Sequence, residues 1–259
     1  MKSKTALITG ASKGIGKEFA LIHASKGDNL VLVARSGDQL ILLKNELEAR
    51  YDNIQIELLI KDLTKPESAK EVFDELIEMN IQIDYLINNA GIGEFGLFVD
   101  STWDRLEEMI DLNMKTLTHL CHLFLPEMME RKAGKIMNIS STAAFQPGPM
   151  MAVYFATKSY VLHLSEALNN EAKKSGVTVT AFCPGPTDTH FIKDSKMEKS
   201  NFMKKIKPAS SHVVAMAGYK AMMKSEAVSI YGLINKIVAF SIRLTPRKWV
   251  VSLSRKIQG

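Results

Sequence analysis

TALITGASKGIG, residues 5–16, decides the fold. Thr5–Thr9 is an apolar, strand-like run that stops at Gly10, and KEFALIHASKG (17–27) has helical character and closes at Gly27. A strand that turns through glycine into a helix leaves the helix's unpaired N–H groups and positive dipole end at the turn. Gly10, Gly14 and Gly16 let the backbone bend tightly and approach an anion closely, and a pyrophosphate suits that cradle. The spacing is Gly-x-x-x-Gly-x-Gly, not the common Gly-x-Gly-x-x-Gly. The strand-turn-helix context, more than the glycines, therefore carries the dinucleotide reading.

Outward from this loop, strand and helix patterns alternate. Strand-like runs follow at NLVLVAR (29–35), IQIELLIKDL (54–63), DYLINNAG (84–91), GKIMNISS (134–141) and VTVTAFCPG (177–185). Helical patterns fall between them at 37–51, 66–79, 102–131 and 152–174, with Pro66 expected in a first turn. Six nearly continuous apolar strands joined by helices predict a Rossmann-like, doubly wound parallel α/β sheet with helices on both faces. Ligands in such sheets bind beyond the carboxyl ends of the strands, where Gly10, Arg35, Asp62, Asn89, Ser141 and Pro184 fall. The 259 residues hold no repeat or linker, so the expectation is a single domain: a core over about 3–225 and a C-terminal extension over about 226–259. The irregular stretch from about 186 to 208 is expected to be a mobile substrate loop.

Composition narrows the function classes. The net charge of +5 comes without a basic stripe interleaved with aromatics, which argues against nucleic acid. Cys121 and Cys183 form no CxxC, so two free thiols in a reducing, cytoplasmic compartment are expected. His119 and His122 lie three apart beside Cys121, but no third ligand accompanies them, and no metal site is expected. His163 and His190 are read as ordinary surface or packing residues, with His190 able to line the substrate loop.

The second strand ends in Ala34, Arg35 and Ser36, where an NAD-binding fold usually has an acid for the ribose 2′-hydroxyl. A carboxylate there would repel a 2′-phosphate, whereas a guanidinium holds it through two charge-assisted bonds. Lys13, inside the glycine loop, adds a second cation. The expected cofactor is NADP(H).

VYFATKSY (153–160) places Tyr154 and Lys158 one helical turn apart on one face. Four motifs stand in order: TGASKGIG (9–16), NNAG (88–91), NISS (138–141) with YFATK (154–158), and PGPTDT (184–189). Together they resemble the short-chain dehydrogenase/reductase family over roughly residues 3–190, and the NADP-preferring members in particular.

The resemblance implies a catalytic tetrad. Tyr154 is the expected proton donor, Lys158 its partner and a holder of the nicotinamide ribose, and Ser141 the hydroxyl that bonds the substrate carbonyl. Ser140 is the less favoured neighbour on spacing. Asn113, in DLNMKT (111–116), is expected to support a water in a proton relay. Chemistry explains the tyrosine–lysine pair. A phenol titrates near pH 10. A cation about 4 Å away, at an effective dielectric near 20, stabilises a phenolate by about 4 kcal/mol. That is a downward shift of about two to three pKa units.

The resemblance also implies cofactor contacts from Ser12, Ile15, Asp62 and Leu63, from Asn89, Ala90 and Gly91, and from Pro184, Gly185, Thr187 and Thr189. Asp62 also reads as a helix N-cap, and the two readings are compatible. Met150, Met151, Met197, Phe202 and Met203 are equally an adaptable apolar pocket or ordinary packing.

The expected activity is NADPH-dependent reduction of a ketone or aldehyde (3-oxoacyl, steroid-like or another apolar carbonyl). The alternatives are an NADP(H)-binding sensor and a peripheral membrane scaffold without turnover. A homodimer or homotetramer is expected by the same resemblance. Past about residue 210 the resemblance thins. Residues 228–259 set Arg243, Arg247, Lys248, Arg255 and Lys256 among apolar residues. That segment reads equally as a weak membrane-surface contact, a cover for the substrate site, or a subunit contact.

Overall fold

The computed structural model describes residues 3–259. Strand residues alternate between two buried faces. In β1 (Thr5–Thr9), Ala6 and Ile8 join one apolar cluster and Leu7 the other. In β2 (Asn29–Ala34), Leu30 and Leu32 join the first, and Val31 and Val33 the second. A sheet buried on both faces needs apolar side chains at every strand position, which explains the continuous runs.

The chain continues through α1 (Gly14–Ala24), which lies between β1 and β2, and then α2 (Gly37–Glu48), β3 (Ile56–Ile60), α3 (Ser68–Glu78) and β4 (Tyr85–Asn88). Next come α4 (Trp103–Ile110), α5 (Leu117–Glu130), β5 (Gly134–Ile139), α6 (Ala152–Ala172) and β6 (Val177–Cys183). The last third holds β7 (Thr187–Asp188), α7 (Phe191–Asp194), β8 (Ala209–Ser210), α8 (Ser211–Met223), β9 (Val228–Ile230), α9 (Leu233–Ser241) and α10 (Arg247–Gln258).

The main sheet is parallel throughout, in the order β3-β2-β1-β4-β5-β6-β9. The order reverses between β1 and β4, and the crevice at such a reversal is where this architecture binds ligands. One cluster packs Phe19 of α1, Leu40 of α2 and Val214 of α8 on one face. The other packs Leu76 of α3, Phe124 of α5 and Val161 of α6 on the opposite face.

Four expectations change. The sheet has a seventh strand, β9, beyond the six read from sequence. Ala181–Cys183 of β6 pair with Val228–Ile230, so the sheet runs past residue 225 into the segment set apart as an extension. β9 has only three residues, too few to show a strand pattern. Helix α1 begins at Gly14, inside the glycine loop, three residues before its apolar pattern. Pro66 lies outside α3, whose N-cap Glu67 has φ 63°. The stretch 186–208 is not shapeless: β7 pairs with β8, and the N–H of Phe95 bonds the carbonyl of Ser195 (2.8 Å).

Candidate active site

The glycine loop is shaped by backbone demands. Gly10 has φ +66°, a left-handed conformation that glycine adopts without strain. A Cβ on Gly16 would sit 2.2 Å from the Gly10 carbonyl oxygen, so no larger residue fits there. The hydroxyl oxygen of Thr9 accepts from the N–H groups of Asn89 and Ala90, both at 3.0 Å. The Asn89 amide donates to the carbonyls of Thr9 (2.9 Å) and Gly10 (3.2 Å). The loop after β1 and the turn after β4 are thus sewn together across the reversal of the sheet. No side chain caps α1, and its first turn holds no acid. Its N–H groups remain available to an anion, and the residues present fit a dinucleotide pyrophosphate.

One cleft of about 1100 Å³ runs from this loop to the C-terminal helices. Of the residues singled out from sequence, Gly10, Ser12, Lys13, Gly14, Ile15, Arg35, Ser36, Asp62, Leu63, Asn89, Ala90 and Gly91 line it. So do Ser141, Tyr154, Lys158, Pro184, Gly185, Thr187 and Thr189. Gly16 and Asn113 stand behind the wall. Arg35 is exposed at the end of β2. Burial acts to raise the Asp62 pKa, but hydrogen bonds from Thr64 and the positive charge of Arg35 outweigh it and hold the carboxyl below its ordinary value. Asp62 caps its own turn, accepting from the Thr64 N–H (3.1 Å) and hydroxyl (2.8 Å), and is not the cap of α3. Lys13 is paired with Asp194 of α7 at 2.7 Å, so the second cation is shared with the segment that follows PGPTDT.

Beside the turn after β4, α6 presents Tyr154 and Lys158 toward Gly91. A Cβ on Gly91 would lie 3.4 Å from Lys158 Nζ and 3.2 Å from Asn113 Oδ1, which locates all three around one turn. Lys158 Nζ donates to the Ile139 carbonyl at 2.8 Å and lies 5.8 Å from the centre of the Tyr154 ring. Ser140 donates its hydroxyl to the Lys158 carbonyl at 2.8 Å and so anchors the helix. Ser141 accepts from the Ala143 N–H at 3.1 Å, which leaves its own proton to offer. Ser141, not Ser140, is the serine whose donor is not committed to the backbone.

The expected depression of the tyrosine pKa is not what this arrangement produces. Tyr154 is half-buried, with Phe191 tilted against it at 5.4 Å and Phe155 edge-on at 6.2 Å. Burial pushes its phenol up to about 12, and Ser141 offsets only part of this. Burial also pushes Lys158 down to about 8. Desolvation disfavours both charged forms, and Lys158 Nζ is bonded to the Ile139 carbonyl and not to the phenol.

Asn113 lies in a π-helical stretch, Asp111–Thr116, a rare geometry often found at functional sites. Its Oδ1 accepts from the Ile92 N–H at 3.0 Å, and its amide donates to the Ile92 carbonyl (2.9 Å) and Thr157 hydroxyl (3.1 Å). Both side-chain protons are spent. The Thr157 hydroxyl in turn donates to the Tyr154 carbonyl at 2.8 Å.

Sequence reading missed Thr9, Thr157 and Arg105. Arg105 lines the cleft and donates to the Gly93 carbonyl at 3.0 Å. Thr9 adjoins the glycine motif and Thr157 sits inside YFATK, so motif adjacency was the available signal; Arg105 carried none. Met151, Met197 and Phe202 line the cleft, whereas Met150 and Met203 do not, so both readings of these residues hold in part. His190 also lines it. Cys121 and Cys183 are buried thiols pushed up to about 12 by that burial, and both are unreactive.

A family model described as short chain dehydrogenase matches residues 4–200. The chain belongs to the short-chain dehydrogenase family. It is thereby an oxidoreductase of a family that uses nicotinamide cofactors. The very-long-chain 3-oxoacyl-CoA reductase of Neurospora crassa is 37% identical over 181 residues, 69% of this chain and 54% of that protein. The chain thus spans about half the length of that relative. A short-chain dehydrogenase from Sphingobium yanoikuyae in complex with NADPH is 34% identical, with TM-score 0.83 over 92% of each chain. A bulky-bulky ketone specific alcohol dehydrogenase from Comamonas testosteroni is 30% identical, with TM-score 0.80 over 94% of this chain and 93% of that one.

Proposed function

We propose that the protein is an NADPH-dependent carbonyl reductase, with Tyr154 as the proton donor. The observation that carries this reading is the grouping of Tyr154, Lys158 and Ser141 in the same cleft as the glycine loop. Bound there, NADPH would supply the hydride that reduces a carbonyl carbon. The remaining work falls to the chain. Ser141 offers its hydroxyl proton to the carbonyl oxygen and stabilises the charge that develops on it. Tyr154 holds its proton at neutral pH, because burial keeps the phenol neutral. An alkoxide is a far stronger base than a phenolate, so transfer from Tyr154 is downhill once that charge forms. Lys158, charged below about pH 8, stabilises the phenolate left behind.

Asn113 acts through others: its amide holds Ile92 and Thr157, and Thr157 holds the backbone of Tyr154. Any part it has in a proton relay falls to its main chain. Arg35, with Lys13 once released from Asp194, would hold the 2′-phosphate. The NADPH-bound Sphingobium structure supports that preference, as does the absence of an acid at the end of β2. Apolar residues of the far end, among them Met151, Phe155, Phe191 and Phe202, favour a bulky apolar ketone or 3-oxoacyl group. The chain's likeness to a bulky-ketone dehydrogenase and a 3-oxoacyl-CoA reductase points the same way.

The test is NADPH oxidation with 3-oxoacyl thioesters, steroid ketones and small aromatic carbonyls, comparing the native chain with Tyr154→Phe. Turnover on one apolar class, lowered at least about a hundredfold in Tyr154→Phe with NADPH binding kept, is expected. Full activity in Tyr154→Phe would remove the tyrosine from this role.

A further inference from the structure

Helices α9 and α10, with the turn that joins them, are apolar on two sides. Inward, Val238, Ile242, Val250 and Leu253 line the cleft. Outward, Ile237, Phe240, Leu244 and Trp249 do not line it and are 59%, 62%, 75% and 70% exposed. With Val251, these make five of the twenty-one large hydrophobic side chains exposed among the described residues, all within fifteen residues of sequence and all outside the cleft. So dense an apolar face on a surface element marks a contact.

Charge identifies the occupant. Lys236, Arg243, Arg247, Lys248, Arg255 and Lys256 are all exposed, and residues 227–259 contain no Asp or Glu. Another exposed apolar stretch, Phe98, Val99 and Trp103, differs in carrying Asp100 and Asp104. Two copies meeting through the α9–α10 face would set six cations against six across an apolar contact. A surface that is anionic and yields to apolar side chains satisfies both features at once, and an anionic bilayer is such a surface.

We propose that α9 and α10 dock the protein on an anionic membrane surface. Ile237, Phe240, Leu244 and Trp249 enter the headgroup boundary, and the six cations meet lipid phosphates. The inner faces of the same helices line the cleft, so docking sets that end of the cleft beside the bilayer. No helix of the described residues is long and apolar enough to cross a membrane, which fits a helix pair that lies on the surface.

Vesicle binding tests this without any assay of turnover. The full chain is sedimented with phosphatidylcholine vesicles and with phosphatidylcholine vesicles that also contain phosphatidylglycerol. In parallel, Trp249 emission is followed in a Trp103→Phe background. Co-sedimentation with the anionic vesicles alone, weakened by salt and accompanied by a blue shift of Trp249, is expected. Phe240→Ser/Trp249→Ser removes two apolar side chains, and Arg243→Ser/Lys248→Ser removes two charges while keeping the apolar face. Each pair is expected to lower the partition coefficient by about tenfold or more. Absence of binding, equal binding to neutral vesicles, or binding unchanged in the charge variant would overturn the proposal. So would self-association in sedimentation velocity that Phe240→Ser/Trp249→Ser abolishes, because the face would then be a subunit contact.

Discussion

The two ends of the cleft are built on different principles. At the glycine-loop end, each residue is there because one atom must sit in one place. Gly16 has no room for a Cβ, Asn89 spans two carbonyls, and Lys158 reaches Ile139 from a helix turn. At the far end, Val238, Val250 and Leu253 of α9 and α10 only fill space. Other apolar residues of similar size would do the same. A site that needs defined donors and close approaches writes a motif into the sequence, whereas one that needs an apolar shape leaves little trace. The family model reflects this division, because its match ends at residue 200, ahead of both helices.

The largest separation between the two ends is expected from Lys158→Met. It should lower turnover at least about a hundredfold and leave the fold intact, because it removes a buried cation that no carboxylate partners and forfeits one hydrogen bond, to the Ile139 carbonyl. The pH dependence carries a sign that a packing role would not. The folded-state pKa of Lys158 is depressed to about 8 from an ordinary value of 10.5. Reductase activity should therefore fall as pH rises through about 8 and the cation is lost. Stability should move oppositely. Between about 8 and 10.5 the unfolded chain binds the extra proton, so native stability attributable to this residue rises with pH. A flat stability difference between native chain and Lys158→Met across that window would show that the burial of Lys158 has been misjudged.

Arg35→Ala probes the same end with a smaller effect. Arg35 is exposed, and its charge acts on Asp62 at the end of the neighbouring strand. Loss of charge-assisted bonds to a 2′-phosphate should lower kcat/KM for NADPH by about tenfold or more while leaving that for NADH nearly unchanged. An equal fall with both cofactors would make Arg35 a structural residue and weaken the NADP(H) assignment.

How far the sequence could be read follows from the same contrast. The parallel sheet was legible because the interiors of β1 and β2 are apolar throughout, as double burial demands, and β4, β5 and β6 carry short apolar runs interrupted by residues such as Asn138 and Thr180. β9 was not, since three half-buried residues, Val228–Ile230, leave no periodicity to detect. Ser141 could be chosen by spacing, but the reason Ser140 fails, its bond to the Lys158 carbonyl, needs the fold. The tyrosine pKa was misread because Coulomb's law was applied without the desolvation that Phe155 and Phe191 impose. The clamp of Asn113 on Ile92 crosses from a π-helical stretch to the turn after β4, and nothing local in DLNMKT announces it.

The smallest expected effect breaks the comparison most directly. Leu253 lies on the inner side of α10, remote in sequence from every motif, and lines the cleft without a polar contact. If α10 shapes only the substrate end, Leu253→Ala should raise KM for a bulky ketone a few-fold, since a lost apolar contact is worth roughly 1–3 kcal/mol when fully realised and Leu253 is half exposed. The KM for NADPH and the pH profile should not move, because neither Lys158 nor the glycine loop depends on Leu253. A small ketone that never reaches α10 should show no change at all. The ratio of the two substrates' kcat/KM is thus the sensitive readout, since any general loosening of the cleft would lower both. A shift in NADPH affinity would mean that the C-terminal helices help order the glycine-loop end, most directly through the segment whose Asp194 holds Lys13 and whose Asn201 N–H bonds the Gln258 carbonyl at 3.1 Å. The two ends would then be one coupled unit rather than two regions with separate rules.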